Sequence, residues 1–373
     1  MENFEFLIKD YDGYARAGLI KTAHGRINTP VFMPVGTLGS VKSVFPSDLI
    51  KLKIEIILAN TYHLMLRPGE DLIKKMGGLN KFMNWEKPIL TDSGGFQIWS
   101  LSKLRDITEQ GINFMSHIDG KKYQLSPEKA ITIQQKLNST ISMVLDECTE
   151  HPATYKRTKE SMELTIRWAE RSKKKFSKRK GFGLFGIVQG GMYKDLRKFC
   201  SKELTNFNFD GYAIGGLSVG ENHLEMIKVL DDTLENLKIE KPRYLMGVGR
   251  PIDIIKSVEK GVDMFDCVLP TRFGRNGRAF TTYGEINLRN SKFRYDSSPL
   301  DKNIDCYVSK SFSKSYIHHL TKSNEILSSM ILSLHNIAFY KKMMSEIRES
   351  ILKKEFNKIK NRYLKYHENH QKT

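Results

Sequence analysis

An α/β fold, a (β/α)8 TIM barrel, is predicted for this chain by three observations. Eight short apolar runs rich in β-branched residues recur along it, and segments with helical periodicity separate them. The runs do not alternate polar with apolar, as expected of parallel strands buried on both faces. An open doubly wound sheet is the competing arrangement, but no glycine-rich dinucleotide fingerprint succeeds the first run.

The runs are TPVFMPVGT (29–37), IEIILAN (54–60), PILTDSGG (88–95), ISMVLDE (141–147), FGIVQGG (185–191), DGYAIGG (210–216), PRYLMGVG (242–249) and VDMFDCVLP (262–270). Helical text such as SPEKAITIQQKL and TYKRTKESMELTIRWAERSKKKF lies between them, and several segments open on a Ser or Asp cap with an acidic first turn. Two insertions decorate the frame. Residues 97–125 alternate around IDGKK and read as a hairpin insertion; RAFTTYGEINLRN, after the eighth run, reads as a second hairpin. One barrel domain is expected over 1–373, with a small C-terminal subdomain over about 278–345 and a basic helical tail over 346–373.

At 373 residues with a 40% hydrophobic share, the chain can bury one large core. Four cysteines without paired spacing argue for a reducing compartment. No apolar leader and no run long enough to span a bilayer is seen, so a cytoplasmic protein without a membrane partner is expected. The net charge of +18 would draw polyanions, although solvated lysine-rich helix faces give the same total.

In a (β/α)8 barrel, chemistry collects where strands end. The second run ends in Asn60, the third in Thr91-Asp92-Ser93-Gly94-Gly95, the fourth in Asp146-Glu147-Cys148 and the fifth in Gln189-Gly190-Gly191. The sixth ends in Gly215-Gly216, the seventh in Gly247-Val248-Gly249 and the eighth in Asp266-Cys267. Asp92, Asp146 and Asp266 each close a strongly apolar run, where a charge needs a partner or a task. Asp92 could cap the adjoining turn, Asp146 could cap the next helix and Asp266 could pair with Arg272. Three carboxylates at one mouth also suit displacement at an anomeric carbon, one as nucleophile and one handling the proton.

TPVFMPVGT, LANTYHLMLRPGE, LTDSGGFQIWSL, MVLDECT, FGIVQGG, AIGGLSVGE, RYLMGVGRP and VDMFDCVLPTRFGRNGRAF, collinear from about residue 12 to about 340, resemble the signature blocks of tRNA-guanine transglycosylases. The resemblance implies exchange of guanine at the tRNA wobble position for a 7-deazaguanine base, in queuosine biosynthesis. It assigns Asp266 as the nucleophile, holding the RNA as a ribosyl ester, and Asp92 as the proton acceptor and donor. For the base pocket it implies Asp92, Ser93, Gly94, Gly95, Phe96, Asp146, Cys148, Gln189, Gly216, Leu217 and Met246. RNA contacts are implied for Gly247, Val248, Gly249, Arg250, Pro251, Ile252 and Asp253, and for Thr271, Arg272, Phe273, Gly274 and Arg275. Arginines suit splayed single-stranded bases.

The family is homodimeric, and Cys148 and Val219 resemble the bacterial pattern, which inserts the 7-aminomethyl precursor; direct queuine insertion is the alternative. The long C-terminal extension of the archaeal type is not seen. A non-catalytic tRNA-binding partner subunit is a further alternative, against which the presence of both Asp92 and Asp266 argues.

The sequence departs from the family at its structural zinc site. Members carry Cys-x-Cys-x2-Cys and then His in an HN pair. Here the same positions hold Ile304, Cys306, Ser309 and His335. Tetrahedral zinc needs all four donors, so no cofactor is expected, and apolar packing around Ile304 is expected to replace the metal. The neighbouring His318 and His319 are expected to serve packing or capping.

Overall fold

The computed structural model of the chain describes residues 3–101, 104–217, 220–221 and 223–371, which leaves Val219 outside. All eight predicted runs contribute a strand to one closed parallel barrel. In chain order the strands are Val31–Gly36, Ile57–Ala59, Ile89–Thr91, Ile141–Met143, Gly183–Val188, Gly211–Ile214, Arg243–Leu245 and Met264–Cys267. The eighth pairs with the first, Met264 opposite Val31 and Cys267 opposite Pro34, and this closure leaves no exposed edge. Several strands are shorter than their runs because the polar residues at the run ends leave the ladder and turn into the mouth.

The intervening helices form where the periodicity places them. Ser126 Oγ accepts the Lys129 N–H (3.2 Å) to start Pro127–Lys136, and Thr154 Oγ1 accepts from Arg157 N–H (3.3 Å) to start Tyr155–Lys175. These caps satisfy N–H groups that lack an intrahelical partner.

Three departures from the sequence reading concern the decorations. The insertion is a three-stranded antiparallel sheet, Arg105–Thr108, Gly111–Met115 and Lys122–Leu125, rather than a hairpin, and a helix, Gly95–Leu101, precedes it. The expected turn at IDGKK joins its last two strands. The helix Ile326–Leu352 runs without interruption across the 345/346 boundary. Its first half packs on the helix Leu269–Arg275, so closely that a Cβ on Gly274 would stand 2.6 Å from the Ser333 nitrogen. Its second half reaches the barrel and N-terminal strands, with Lys341 Nζ 3.2 Å from Glu55 and Arg348 donating to the Gly18 carbonyl (2.7 Å).

The third departure is an N-terminal antiparallel sheet, Glu5–Asp12, Ala15–Thr22 and Gly25–Thr29, that covers the end of the barrel opposite the mouth. Arg16, fully buried, fastens it. Its Nε donates to Asp263 Oδ1 (2.8 Å), Nη2 to Oδ2 (2.5 Å) and to the Lys241 carbonyl (2.8 Å), and Nη1 to the Ile239 carbonyl (2.6 Å). Asp263 also accepts the Arg243 N–H (2.7 Å), so four of the five guanidinium N–H groups and both carboxylate oxygens of this buried pair are engaged. Replacing Arg16 with Met strands a buried carboxylate, and urea titration is expected to show a loss of about 3–5 kcal/mol; a loss within experimental error would remove the clamp role.

Candidate active site

The three predicted carboxylates meet at the C-terminal end of the barrel, each held by donors from an adjacent strand. Asp92, after the third strand, accepts the Thr61 N–H at Oδ1 (2.8 Å) and the Asn60 amide at Oδ2, both from the end of the second. Burial nonetheless pushes its pKa up to about 6, against those hydrogen bonds, and the charge of Asp266 pushes in the same direction. The two carboxylates therefore sense one another across the mouth.

Asp266, on the eighth strand, takes the Tyr244 phenol (2.6 Å) and the Gly247 N–H (2.7 Å) on the same oxygen, Oδ1. Among the described residues Oδ2 accepts nothing, so one lone-pair-bearing oxygen is free at a fixed position. No ion pair links Asp266 to Arg272 among the described residues; the arginine is exposed on the helix Leu269–Arg275. Burial raises the Asp266 pKa, while Tyr244 and Gly247 hold it down.

Asp146 is buried between Ser93 Oγ (3.0 Å) and the Gln189 amide (2.8 Å). The Ser93–Asp146 bond ties the third and fourth strand ends together, and Ser93 Oγ also accepts the Gly95 N–H (3.2 Å) within its own loop. Gln189 orients its Nε2 to Asp146, leaving Oε1 beside Gly216. A Cβ on Gly216 would stand 2.3 Å from that oxygen, and its φ of +65° is itself a glycine conformation. Leu217 and Cys148 are buried next to this floor, and burial raises the Cys148 thiol well above its ordinary range. Phe96 is 44% exposed and Met246 is half-buried.

The two segments expected to meet RNA divide into outward and inward residues. Gly247, Arg250, Arg272 and Arg275 are exposed, whereas Val248, Gly249, Pro251, Ile252, Thr271, Phe273 and Gly274 are buried. Phe273 stacks on Phe280 with ring centroids 5.2 Å apart, Asp253 binds His223, and Arg275 Nε donates to the Thr271 carbonyl (3.2 Å). TRFGR is thus a short helix anchored by its apolar members, presenting two guanidinium groups.

Four residues that shape this site were not assigned by sequence: Asn60, Thr61, Tyr244 and Arg197. Asn60 was legible only as a strand end. Tyr244 looks like one more aromatic of a buried run. Arg197 shares the buried helix face with Cys200, Ser201 and Leu204, at i+3, i+4 and i+7, a spacing that marks it as inward-facing.

Buried carboxylates gathered at the mouth of a (β/α)8 barrel, two of them close enough for one to raise the proton affinity of the other, are the arrangement of a group-transfer enzyme. A family model described as Queuine tRNA-ribosyltransferase matches residues 10–369. Queuine tRNA-ribosyltransferases of Rickettsia bellii, Rickettsia massiliae and Rickettsia typhi are each 54% identical over 358 residues, which is 96% of this chain and 99% of the relative. The chain belongs to the queuine tRNA-ribosyltransferase family of pentosyltransferases.

The residues at the family's zinc positions do not fit a zinc ion. Ile304, fully buried, offers no donor. His335, also fully buried, is already satisfied: its Nε2 lies 2.8 Å from the Phe280 carbonyl, which can only accept, so Nδ1 accepts from the Ser309 hydroxyl at 2.8 Å. Burial lowers the His335 pKa to about 4 and keeps the ring neutral. Ser309 thus stands in a ligand position and bonds the histidine directly. Among the described residues no cluster of three His, Cys, Asp or Glu could hold a metal. Of the adjacent pair, His318 Nδ1 is 2.6 Å from the Leu288 carbonyl and His319 is exposed.

Chelator treatment should leave the melting temperature unchanged, and Ile304→Cys with Ser309→Cys should gain stoichiometric zinc by elemental analysis; wild-type protein purified with one zinc per chain would contradict this. Asp92 is a case where burial opposes ionisation: the native state binds its proton more tightly than the unfolded chain, so stability is lost as pH rises from the ordinary carboxylate range to about 6. Asp92→Asn should therefore raise stability at neutral pH, by up to about 3 kcal/mol in a urea titration, and should have little effect near pH 3.

Proposed function

We propose that this chain exchanges guanine at the wobble position of tRNA for 7-aminomethyl-7-deazaguanine, in queuosine biosynthesis, by double displacement. The observation that carries the reading is the unequal pair: a carboxylate with one unoccupied oxygen, Asp266, facing one raised towards neutrality, Asp92.

Asp266 Oδ2 attacks C1′ of the ribose and forms an ester while the C1′–N9 bond breaks. The bond's electron pair leaves with the purine, and Asp92 supplies the proton. In the second half the incoming base gives its N9 proton to Asp92, N9 attacks C1′, and the ester electrons return to Asp266. Two inversions give retention.

Asp146 accepts from the N1–H and exocyclic amine of a guanine-type edge, while Gln189 and the Gly216 N–H donate to its 6-oxo group. Phe96 and Met246 cover the base faces, and the substituent at position 7 points towards Leu217 and Cys148. Arg250, Arg272 and Arg275 contact the nucleotides around the extruded base, with their buried neighbours as anchors. Among the described residues no helix is long and apolar enough to cross a membrane, in keeping with a cytoplasmic enzyme, and the working form is a homodimer.

A denaturing gel with cognate tRNA tests the covalent step: wild type should give a shifted protein–RNA band and Asp266→Asn none. An undiminished band in Asp266→Asn would sink the ester. The single-turnover rate of adduct formation should fall as pH rises through about 6, where Asp92 loses the proton it must donate. In Asp92→Asn that limb should vanish along with most of the rate.

A further inference from the structure

Arg197 is the largest charge at the mouth that this mechanism leaves unused. It is fully buried on the helix Lys194–Asn206, and every hydrogen bond of its guanidinium goes to backbone carbonyls at the ends of the fifth and sixth strands. Nε donates to Gly191 (2.8 Å), Nη1 to Gly215 (2.8 Å) and Val188 (3.2 Å), and Nη2 to Gly216 (3.4 Å). No carboxylate of the described residues lies within ion-pair distance; Glu221 acts on it only from afar. A buried cation without a counter-charge is costly, and a neutral donor would tie two loops together more cheaply.

The peptide between Gly215 and Gly216 gives the charge a task. Its carbonyl accepts from Arg197 at 2.8 Å, and the N–H on its other side, that of Gly216, donates to no group of the described residues. Hydrogen bonding a cation to an amide oxygen draws electrons from the nitrogen and makes its N–H a stronger donor. That N–H stands at the mouth next to Gln189, whose Oε1 fits only because residue 216 has no side chain.

We propose that Arg197 is a positioning residue that polarises the Gly215–Gly216 peptide, so that the Gly216 N–H selects bases carrying a 6-oxo group and stabilises the charge that collects there as the base departs. This rests on the base-pocket reading above. The cation never touches the base; it acts through one peptide plane, and its influence is confined to the atom which that N–H meets.

The test compares 7-deazaguanine with 2-amino-7-deazapurine, which lacks the 6-oxo group and with it the N1–H, by calorimetric binding to the wild type and to Arg197→Lys and Arg197→Gln; the N1–H contact to Asp146 is common to all three proteins, so a change in preference between them reports the 6-oxo side. Wild type should prefer the oxo base. In Arg197→Gln, which removes the charge, that preference should shrink by about tenfold, as for loss of one charge-assisted hydrogen bond, and Arg197→Lys, which keeps the charge, should retain more of it, while tRNA affinity in a gel shift stays within about twofold for both because the effect is confined to one peptide.

Equal weakening of both bases, leaving the preference intact, would overturn the proposal in favour of plain loop support. So would failure of both variants to fold, which would assign the guanidinium to folding. If wild type binds neither base, it is the base-pocket reading that fails rather than this refinement of it.

Discussion

Burying carboxylates at strand ends is the constraint on which the mouth of this barrel depends. Each is stabilised from the strand beside it: Asp92 by Asn60 and Thr61, Asp146 by Ser93 and Gln189, Asp266 by Tyr244 and Gly247. Parallel strands in register make this possible, since neighbouring strands end at the same level and deliver donors to one another's termini. Barrel closure between the eighth and first strands brings Asp266 round to the side of the mouth where Asp92 lies. A slip of one residue in any of these pairings would turn a donor outward and leave a charge unsolvated.

The barrel and its carboxylates were legible in the sequence for the same reason. A strand buried on both faces must be apolar throughout, so the acid that ends it stands out. What sequence could not supply was the identity of the donors, because Tyr244 and Asp266 are neighbours only after folding and the aromatic is ordinary in its own run. The N-terminal sheet escaped for another reason. A register shift between Ile8 and Asp10 breaks the two-residue alternation of its first strand. The insertion's additional strand was folded into a hairpin reading because its turn, Glu109-Gln110, is so short.

The C-terminal subdomain shows how a metal joint can be rebuilt from ordinary parts. A structural zinc links distant segments by bonds that none of them can make alone. Here the link from Ser309 through His335 to Phe280 spans the same segments with two neutral hydrogen bonds, and Ile304 closes the space with hydrocarbon. Such bonds are individually worth only about 1 kcal/mol. The joint therefore relies on the long helix, which carries His335 and is fixed in both its halves: Asn336 Oδ1 accepts the Phe280 N–H (2.9 Å), and Arg348 binds the N-terminal sheet. The histidine stays neutral because its burial outweighs the Phe280 carbonyl and the charge of Asp301, both of which favour protonation.

The two ends of the barrel treat buried charge in opposite ways. Away from the mouth, Arg16 and Asp263 bind each other and nearby backbone groups, so their field is spent locally and the pair contributes only fixation. At the mouth, Asp92, Asp146, Asp266 and Arg197 are all desolvated, yet none is ion-paired with another among the described residues. Their hydrogen bonds go to neutral amides, hydroxyls and carbonyls, which hold position without cancelling charge. In a low-dielectric site such uncancelled charges act strongly on whatever enters. The same residues are thereby costly to the free fold and useful to a reaction in which charge moves from a carboxylate to a departing base.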